Sequence, residues 1–408
     1  MKKLLQINVS VNTGSTGRIA EDIGRRAIEA GYESYIAYGV NARESHSRLI
    51  KVGTKFGYYA HGIKSFCFDA HGFGSKRATK ALVKKIEAIK PDVILLHNIH
   101  GYYLNIEVLL TYLAKKSIPV FWTLHDCWPL TGHCSHFMRY NCEKYKSHCY
   151  SCPNRKGYPC SLFIDRSKHN YEVKKKLVLG LQNLFFIPVC KWMDRVVADS
   201  YAKGFKTKVI YNGVDVATFK PASAVDISSL KQKYQIPDKK IVLGVASTWK
   251  KRLAYCDFCW LSENLPEDYM IVLVGMSDEQ IKQLPQGIIG IQRTESIQEL
   301  AILYSLASVF VNPTYVDNFP TTNIEALACG TPVITYNTGG SPEAIDGNTG
   351  IVVPRGDKEA LKDAIVEVVT NNDKYTREAC RKRAMDCFNK DERFGDYIQL
   401  FNDTLNKK

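Results

Sequence analysis

Short apolar runs alternate along the chain with longer segments of helical period, and polar or glycine-rich turns separate them. The first runs cover residues 4–9, 35–39, 92–97, 120–124 and 185–189. Continuous apolar stretches of this length predict strands buried on both faces, as in a parallel sheet. Residues 19–30 and 79–89 carry the period of a helix and stop at Gly31 and Pro91. A second series of runs follows at 241–246, 271–275, 290–294, 309–312, 332–336 and 350–354, with helical segments at 297–307 and 358–370. Residues 173–183 predict a basic amphipathic helix displaying Lys174, Lys175 and Lys176, and residues 394–405 a final helix. Between 61 and 73, aromatic residues and histidines mix with no clear period, and the apolar stretch around Cys256 and Cys259 is expected to be core. Strands alternating with helices in two series predict an α/β chain of two doubly wound, Rossmann-like domains. At 408 residues there is room for two cores. The expected boundaries are 1–200 for the first domain, with an insertion at 127–160 and a crossing helix within 390–408, and 201–389 for the second.

Ligands of open parallel sheets bind beyond the carboxyl ends of the strands, so the residues there are the candidates for chemistry. After the first run come Asn12, Gly14, Gly17 and Arg18; strand, glycine turn and helix together open a nucleotide-fold half. His97 and His100 follow the 92–97 run, and His125 and Asp126 follow 120–124. In the second series Asp317 and Glu325 are two acids separated by seven residues. Between them Pro320 suits the first turn of a helix, and Thr321 and Thr322 come next. Gly339 and Gly340 lie in the loop after 332–336, and Ser341, Pro342 and Glu343 predict a further helix opening on a cap, a proline and an acid. Two helix N-termini at such turns offer unpaired N–H groups suited to a pyrophosphate. Lys251 and Arg252, just after 241–246, form a basic cluster able to hold a diphosphate leaving group.

The formal net charge of +14 suits phosphorylated donors, acidic glycans, an anionic membrane surface or nucleic acid. Basic residues are spread widely and no nucleic-acid-binding motif accompanies them, so no nucleic-acid partner is expected. No run approaches the ~18 apolar residues needed to span a bilayer. Gln6, Asn8 and Ser10 interrupt the first run, which therefore reads as a strand and not as an export signal. The 13 cysteines are accordingly expected as reduced thiols or metal ligands in a cytoplasmic protein, peripheral on the inner face of the membrane at most. Six of them crowd between Cys127 and Cys160 with three histidines. Cys134, Cys142, Cys149 and Cys152, the last two spaced as a knuckle before Pro153, predict a closed tetrahedral thiolate site holding structural zinc. An iron–sulfur cluster would use the same ligands. His133, His136 and His148 are reserve ligands.

The acid-x7-acid stretch, the ALACGTPVI and TGGSPE segments after it, and NGVD with FKP at 212–221 resemble the retaining nucleotide-sugar glycosyltransferases of family 4. The resemblance is to the branch that makes bacterial surface polysaccharides, such as capsule or exopolysaccharide. It implies the GT-B fold, two facing doubly wound domains with a cleft between them. It implies transfer from a nucleotide-diphosphate sugar to a hydroxyl of a polysaccharide or lipid-linked acceptor, with no cofactor required for the chemistry. In the family the second acid holds the nucleotide ribose, here Glu325, and the first lies beside the sugar and its phosphates, here Asp317 where glutamate is usual. The histidine of the TLHD position contacts the transferred sugar, here His125, with His97, His100 and Asp126 toward the acceptor. Gly14, Gly17 and Arg18 would meet the acceptor and the donor phosphates. Thr321, Thr322, Gly339 and Gly340 would take the donor's diphosphate. The usual arginine and lysine-before-glycine are replaced by Ser247 and by Leu253 and Ala254, so Lys251 and Arg252 must supply that charge. A lipid-linked acceptor implies contact with an anionic membrane through Lys174, Lys175 and Lys176. The rival readings are a nucleotide-sugar epimerase or a phosphorylase of the same fold, and a zinc-knuckle nucleic-acid-binding protein.

Overall fold

The apolar runs become the strands of two separate parallel sheets. The computed structural model describes residues 1–249 and 253–407. It divides into one unit of Met1–Tyr211 with Arg393–Lys408 and a second of Asn212–Glu392. The expectations for Lys251 and Arg252 lie outside the described residues.

The first unit begins β1 (Lys3–Asn8), α1 (Gly14–Glu29), β2 (Glu33–Tyr38), β3 (Arg48–Lys51), α2 (Lys55–Phe68) and α3 (Lys76–Ile89). It continues through β4 (Val93–Leu96), α4 (Ile106–Leu113), β5 (Val120–Leu124), α5 (Ser167–Leu179), β6 (Leu184–Pro188), α6 (Lys191–Ala198) and β7 (Lys206–Thr207). Its sheet runs β3-β2-β1-β4-β5-β6-β7, every neighbouring pair parallel. β4 and β5 are buried along their whole length, as continuous apolar strands covered on both faces must be.

The second unit holds α7 (Ala224–Tyr234), β8 (Lys240–Val245), α8 (Leu253–Asn264), β9 (Tyr269–Val274), α9 (Asp278–Ile281), β10 (Ile288–Ile291) and α10 (Ile297–Leu306). β11 (Val309–Asn312), α11 (Thr321–Ala328), β12 (Val333–Tyr336), β13 (Gly350–Val353), α12 (Lys358–Thr370) and α13 (Arg377–Phe388) complete it. The strand order is β10-β9-β8-β11-β12-β13, again all parallel. The last helix, α14 (Lys390–Leu405), sets Phe394, Tyr397, Ile398 and Phe401 into the core of the first unit with Leu4, Ile19, Ile23 and Phe121. Its first turn belongs to the second unit, where Lys390 Nζ meets Asp215 Oδ2 at 2.8 Å. Gly213 is required at that join, because a Cβ there would lie 2.4 Å from the Lys390 Cα.

Several expectations change. The first helix starts at Gly14, so the glycine turn is largely absorbed into α1. The aperiodic aromatic region lies mostly in α2, whose buried residues are His61 and Ser65 while Phe56, Tyr59 and Ile63 face outward. The helix expected from Ser341 is a four-residue 3-10 turn, Ser341–Ala344, with no side-chain cap. In α8 it is Asp257, not the flanking Cys256 and Cys259, that turns inward, and it accepts hydrogen bonds from Tyr336 and Tyr315 at 3.0 and 3.3 Å.

Candidate functional site

Each sheet reverses its winding at one point, between β1 and β4 in the first unit and between β8 and β11 in the second. Parallel sheets bind ligands beyond the strand ends at such points. The candidate residues cluster there, in two sets.

In the second unit the chain leaves β11 at Asn312 and reaches α11 with Pro320 at the cap position. Thr321 and Thr322 are the first helical residues, so their N–H groups lack an intrahelical acceptor, and the cap residue Pro320 offers them no side-chain acceptor. A buried network fixes this helix start against the loop after β12. The Asn312 amide donates to Asn323 Oδ1 at 2.8 Å, and Asn323 Nδ2 donates to the Ser341 hydroxyl at 3.0 Å. The Ser341 and Thr335 hydroxyls meet at 2.7 Å, and the Gly340 N–H donates to the Asn318 carbonyl at 2.8 Å. Gly339 and Gly340 are thereby tied to the segment that opens α11. Glu325 sits one turn into the helix, half-buried, and its Oε2 accepts from the Tyr304 hydroxyl at 3.0 Å. Tyr304 is fully buried on α10, so that donor is fixed in place. Asp317 is half-buried in the loop between β11 and α11.

In the first unit two histidine chains converge at the ends of β4 and β5. Gln6 Nε2 donates to the Ala20 carbonyl at 2.8 Å, which turns Gln6 Oε1 toward His97 Nε2 at 3.0 Å. A carbonyl oxygen only accepts, so His97 carries its proton on Nε2 and its Nδ1 accepts. The ring nitrogen facing that Nδ1 is His125 Nε2, at 2.9 Å, and it must donate. This assignment, made from the network, leaves His125 Nδ1 as an acceptor. The two rings stack with centroids 5.2 Å apart. Burial holds His97 well below the usual histidine range and brings His125 to about 4, against the pull of Asp126, so both rings are neutral near pH 7. In the second chain His71 Nε2 lies 3.2 Å from His100 Nδ1, and His100 Nε2 lies 2.8 Å from Asp126 Oδ2. Asp126 Oδ1 also accepts from the Trp128 N–H at 2.9 Å. Burial works to raise Asp126, but His100 overcomes it and holds the carboxyl at about 2.

Gly14, Gly17 and Arg18 occupy the first turns of α1 after β1, with Arg18 exposed and its Nε donating to the Gly14 carbonyl at 3.2 Å. His97 and His100 do not face solvent: both are buried, and they hold His125 and Asp126 from behind. In this arrangement they meet His125 and Asp126, not solvent. The expected lysine cluster also dissolves, because Lys174 is 2% exposed and its Nζ donates to the Trp128 carbonyl at 2.6 Å. Cys134, Cys142, Cys149 and Cys152 are free thiols that line one cavity of about 20 Å³. Among the described residues, no group of three or more histidine, cysteine or acidic side chains is drawn together as a metal site.

Gln6, Tyr304 and Asn323 were not anticipated as parts of the site. Gln6 did leave a signal, since a polar side chain inside a strand buried on both faces needs a partner there. Tyr304 left none, being 21 residues from Glu325 on a different helix.

The family described as Glycosyltransferase Family 4 matches residues 16–218, and that described as Glycosyl transferases group 1 matches residues 242–371. The chain is 23% identical over 372 residues to the putative colanic acid biosynthesis glycosyl transferase WcaC of Escherichia coli K12, covering 86% of this chain and 87% of that protein. Its fold is similar to that of sucrose-phosphate synthase from Thermosynechococcus elongatus, with a TM-score of 0.72 at 18% identity over 100% of both chains. It is also similar to Anabaena HepE in complex with UDP-glucose, with a TM-score of 0.67 at 15% identity over 100% of both chains.

Proposed function

The chain belongs to glycosyltransferase family 4 and has the GT-B class of fold, two doubly wound domains, and on that premise we propose that it moves a sugar from a nucleotide-diphosphate sugar to a hydroxyl of a lipid-linked or polysaccharide acceptor, with retention at the anomeric carbon. The observation that carries the donor side is the acid held by Tyr304 one turn into α11, on a helix that opens at Pro320 after a strand at the switch point. Glu325 accepts from the ribose hydroxyls. The Thr321 and Thr322 amides and the Gly339–Gly340 turn take the diphosphate, with Lys251 and Arg252 adding charge. His125 accepts a sugar hydroxyl at Nδ1, and Asp317 and Asp126 orient the reacting groups. The bond from the anomeric carbon to the diphosphate breaks as that to the acceptor oxygen forms, and the acceptor's proton passes to the departing phosphate. HepE, with UDP-glucose bound, supports a nucleotide sugar as the donor class.

The acceptor side rests on α2. A cavity of about 560 Å³ lies against it, lined in part by Tyr58, Lys64, Lys76, Arg77 and Tyr102, an aromatic and basic lining that fits a diphosphate-bearing glycan. The opposite face of α2 exposes Phe56, Tyr59, Ile63 and Phe66 at helical spacing, and the helix holds two lysines and no acid. Such a face suits the headgroup region of an anionic membrane, in place of the lysine cluster on α5. No helix is long and apolar enough to cross one among the described residues.

A thermal-shift panel of nucleotide sugars tests the function. A donor at 100 times its Kd adds about 2.7 kcal/mol, which moves Tm by several degrees. A panel in which no nucleotide sugar moves the transition would overturn the reading.

A further inference from the structure

We propose that the loop between β5 and α5 is built around one structural zinc ion, bound by the thiolates of Cys134, Cys142, Cys149 and Cys152. The chain runs from Leu124 to Ser167 with three short 3-10 turns and no strand or α-helix. A loop of that length needs a staple to offset its ordering entropy. Four of its six cysteines, 18 residues apart at the extremes, nonetheless line a single cavity of about 20 Å³, room for one small occupant. The convergence is tight. A Cβ on Gly132 would stand 2.7 Å from the Cys149 Cβ and 2.1 Å from the Ser167 carbonyl oxygen.

Two buried polar side chains stand beside these cysteines. His133 also lines the cavity and is 2% exposed, and its Nδ1 is held by Asp69 Oδ1 at 2.6 Å while its buried Nε2 has no hydrogen-bond partner. Asp69 is fixed in turn by the Arg166 N–H at 2.8 Å. A carboxylate holding one histidine nitrogen while the other is buried and unpaired beside cysteines is an arrangement found around metal sites. Lys174 reaches in from α5, fully buried, with its Nζ donating to the Trp128 carbonyl at 2.6 Å. A zinc ion with four thiolates carries two negative charges, which Lys174 and the His133 N–H offset.

Without an ion the four sulfurs line the cavity, and no three of them are drawn together as a metal site among the described residues. Binding replaces each S–H with an S–Zn bond and releases the protons, so closure of the ring and metal binding are one event. Four protein ligands leave no open position, which makes the site structural. Its effect reaches the histidine chains through Lys174, whose hydrogen bond holds Trp128, the residue whose N–H caps Asp126.

Elemental analysis of the full chain purified without added metal tests the site. About one zinc per chain, lost in Cys149→Ser and in Cys152→Ser, is expected. Neither metal above about a tenth per chain, or iron in place of zinc, overturns it. Because those variants can misfold, the wild-type chain is also stripped with a chelator and titrated with cobalt. Strong thiolate-to-cobalt charge transfer saturating at one ion is expected, and its absence counts against the site whatever the variants do. His133→Ala should keep the stoichiometry while weakening affinity about 10–100-fold. If His133→Ala abolishes binding and Cys142→Ser does not, the four-thiolate ligand set is wrong.

Discussion

Replacing Gln6 with leucine reaches His125 through two hydrogen bonds and should alter transfer without touching substrate. Gln6 Oε1 accepts a hydrogen bond from His97 Nε2–H at 3.0 Å, and that tautomer propagates to His125 across the 2.9 Å contact. With leucine, His97 must leave a buried N–H unpaired, at a cost of about 1–3 kcal/mol, or move its proton to Nδ1. The second course is cheaper, and it obliges His125 to accept at Nε2 and carry its own proton on Nδ1. A sugar hydroxyl then finds a donor where it needs an acceptor. Losing one neutral hydrogen bond is worth about 0.5–1.5 kcal/mol, or roughly a 2–13-fold fall in kcat/KM. Nitrogen-15 NMR of the imidazoles reads the tautomer directly, and steady-state kinetics reads the rate. The reasoning is refuted if wild-type His125 already carries its proton on Nδ1, or if the variant switches tautomer and kcat/KM does not move.

Tyr304→Phe removes the hydroxyl that holds Glu325 and should raise the donor KM about 2–10-fold with kcat near the wild-type value; a change confined to kcat would place Tyr304 elsewhere in the mechanism. Acid should destabilise the fold in two windows. His125 and His61 titrate near 4 when folded but near 6.5 when unfolded, so the unfolded chain binds more protons between those values, and stability falls as pH drops from 6.5 to 4. Asp126, at about 2 against 3.8, stabilises above 3.8 and loses that contribution as pH falls toward 2. A Tm that stays level from pH 7 to 4.5 would contradict the first window. Phe56→Ser combined with Ile63→Ser should cut co-sedimentation with anionic vesicles at least about tenfold, since each buried side chain is worth roughly 1.5–3 kcal/mol, and equal binding by the double variant would remove α2 from the membrane.

Most strands were legible because a parallel sheet covered on both faces demands uninterrupted apolar residues, as in β4 and β5. Helix α2 was hidden for the opposite reason. Its large apolar side chains point outward and its core contacts are a histidine and a serine, so no inward stripe exists to be counted. Lys174 misled in the same way, since a lysine on a basic helix is expected in solvent and here is buried against Trp128. The candidate positions at strand ends followed from topology, but their roles came from family resemblance, because the partners that define them are distant in sequence. Gln6 and His97 are 91 residues apart, and His133 and Asp69 are 64 apart. Spacing along one segment carries no record of such contacts.

The central claim is that Glu325 binds the donor, and isothermal calorimetry with the nucleotide sugar that most stabilises the protein tests it. Glu325→Ala loses a charge-assisted acceptor worth about 1.5–3 kcal/mol, so donor Kd should rise roughly 10–150-fold. Glu325→Gln, which keeps an acceptor for the Tyr304 hydroxyl, serves as the check that the fold is intact and should also bind more weakly. Donor affinity unchanged in both variants would contradict the account.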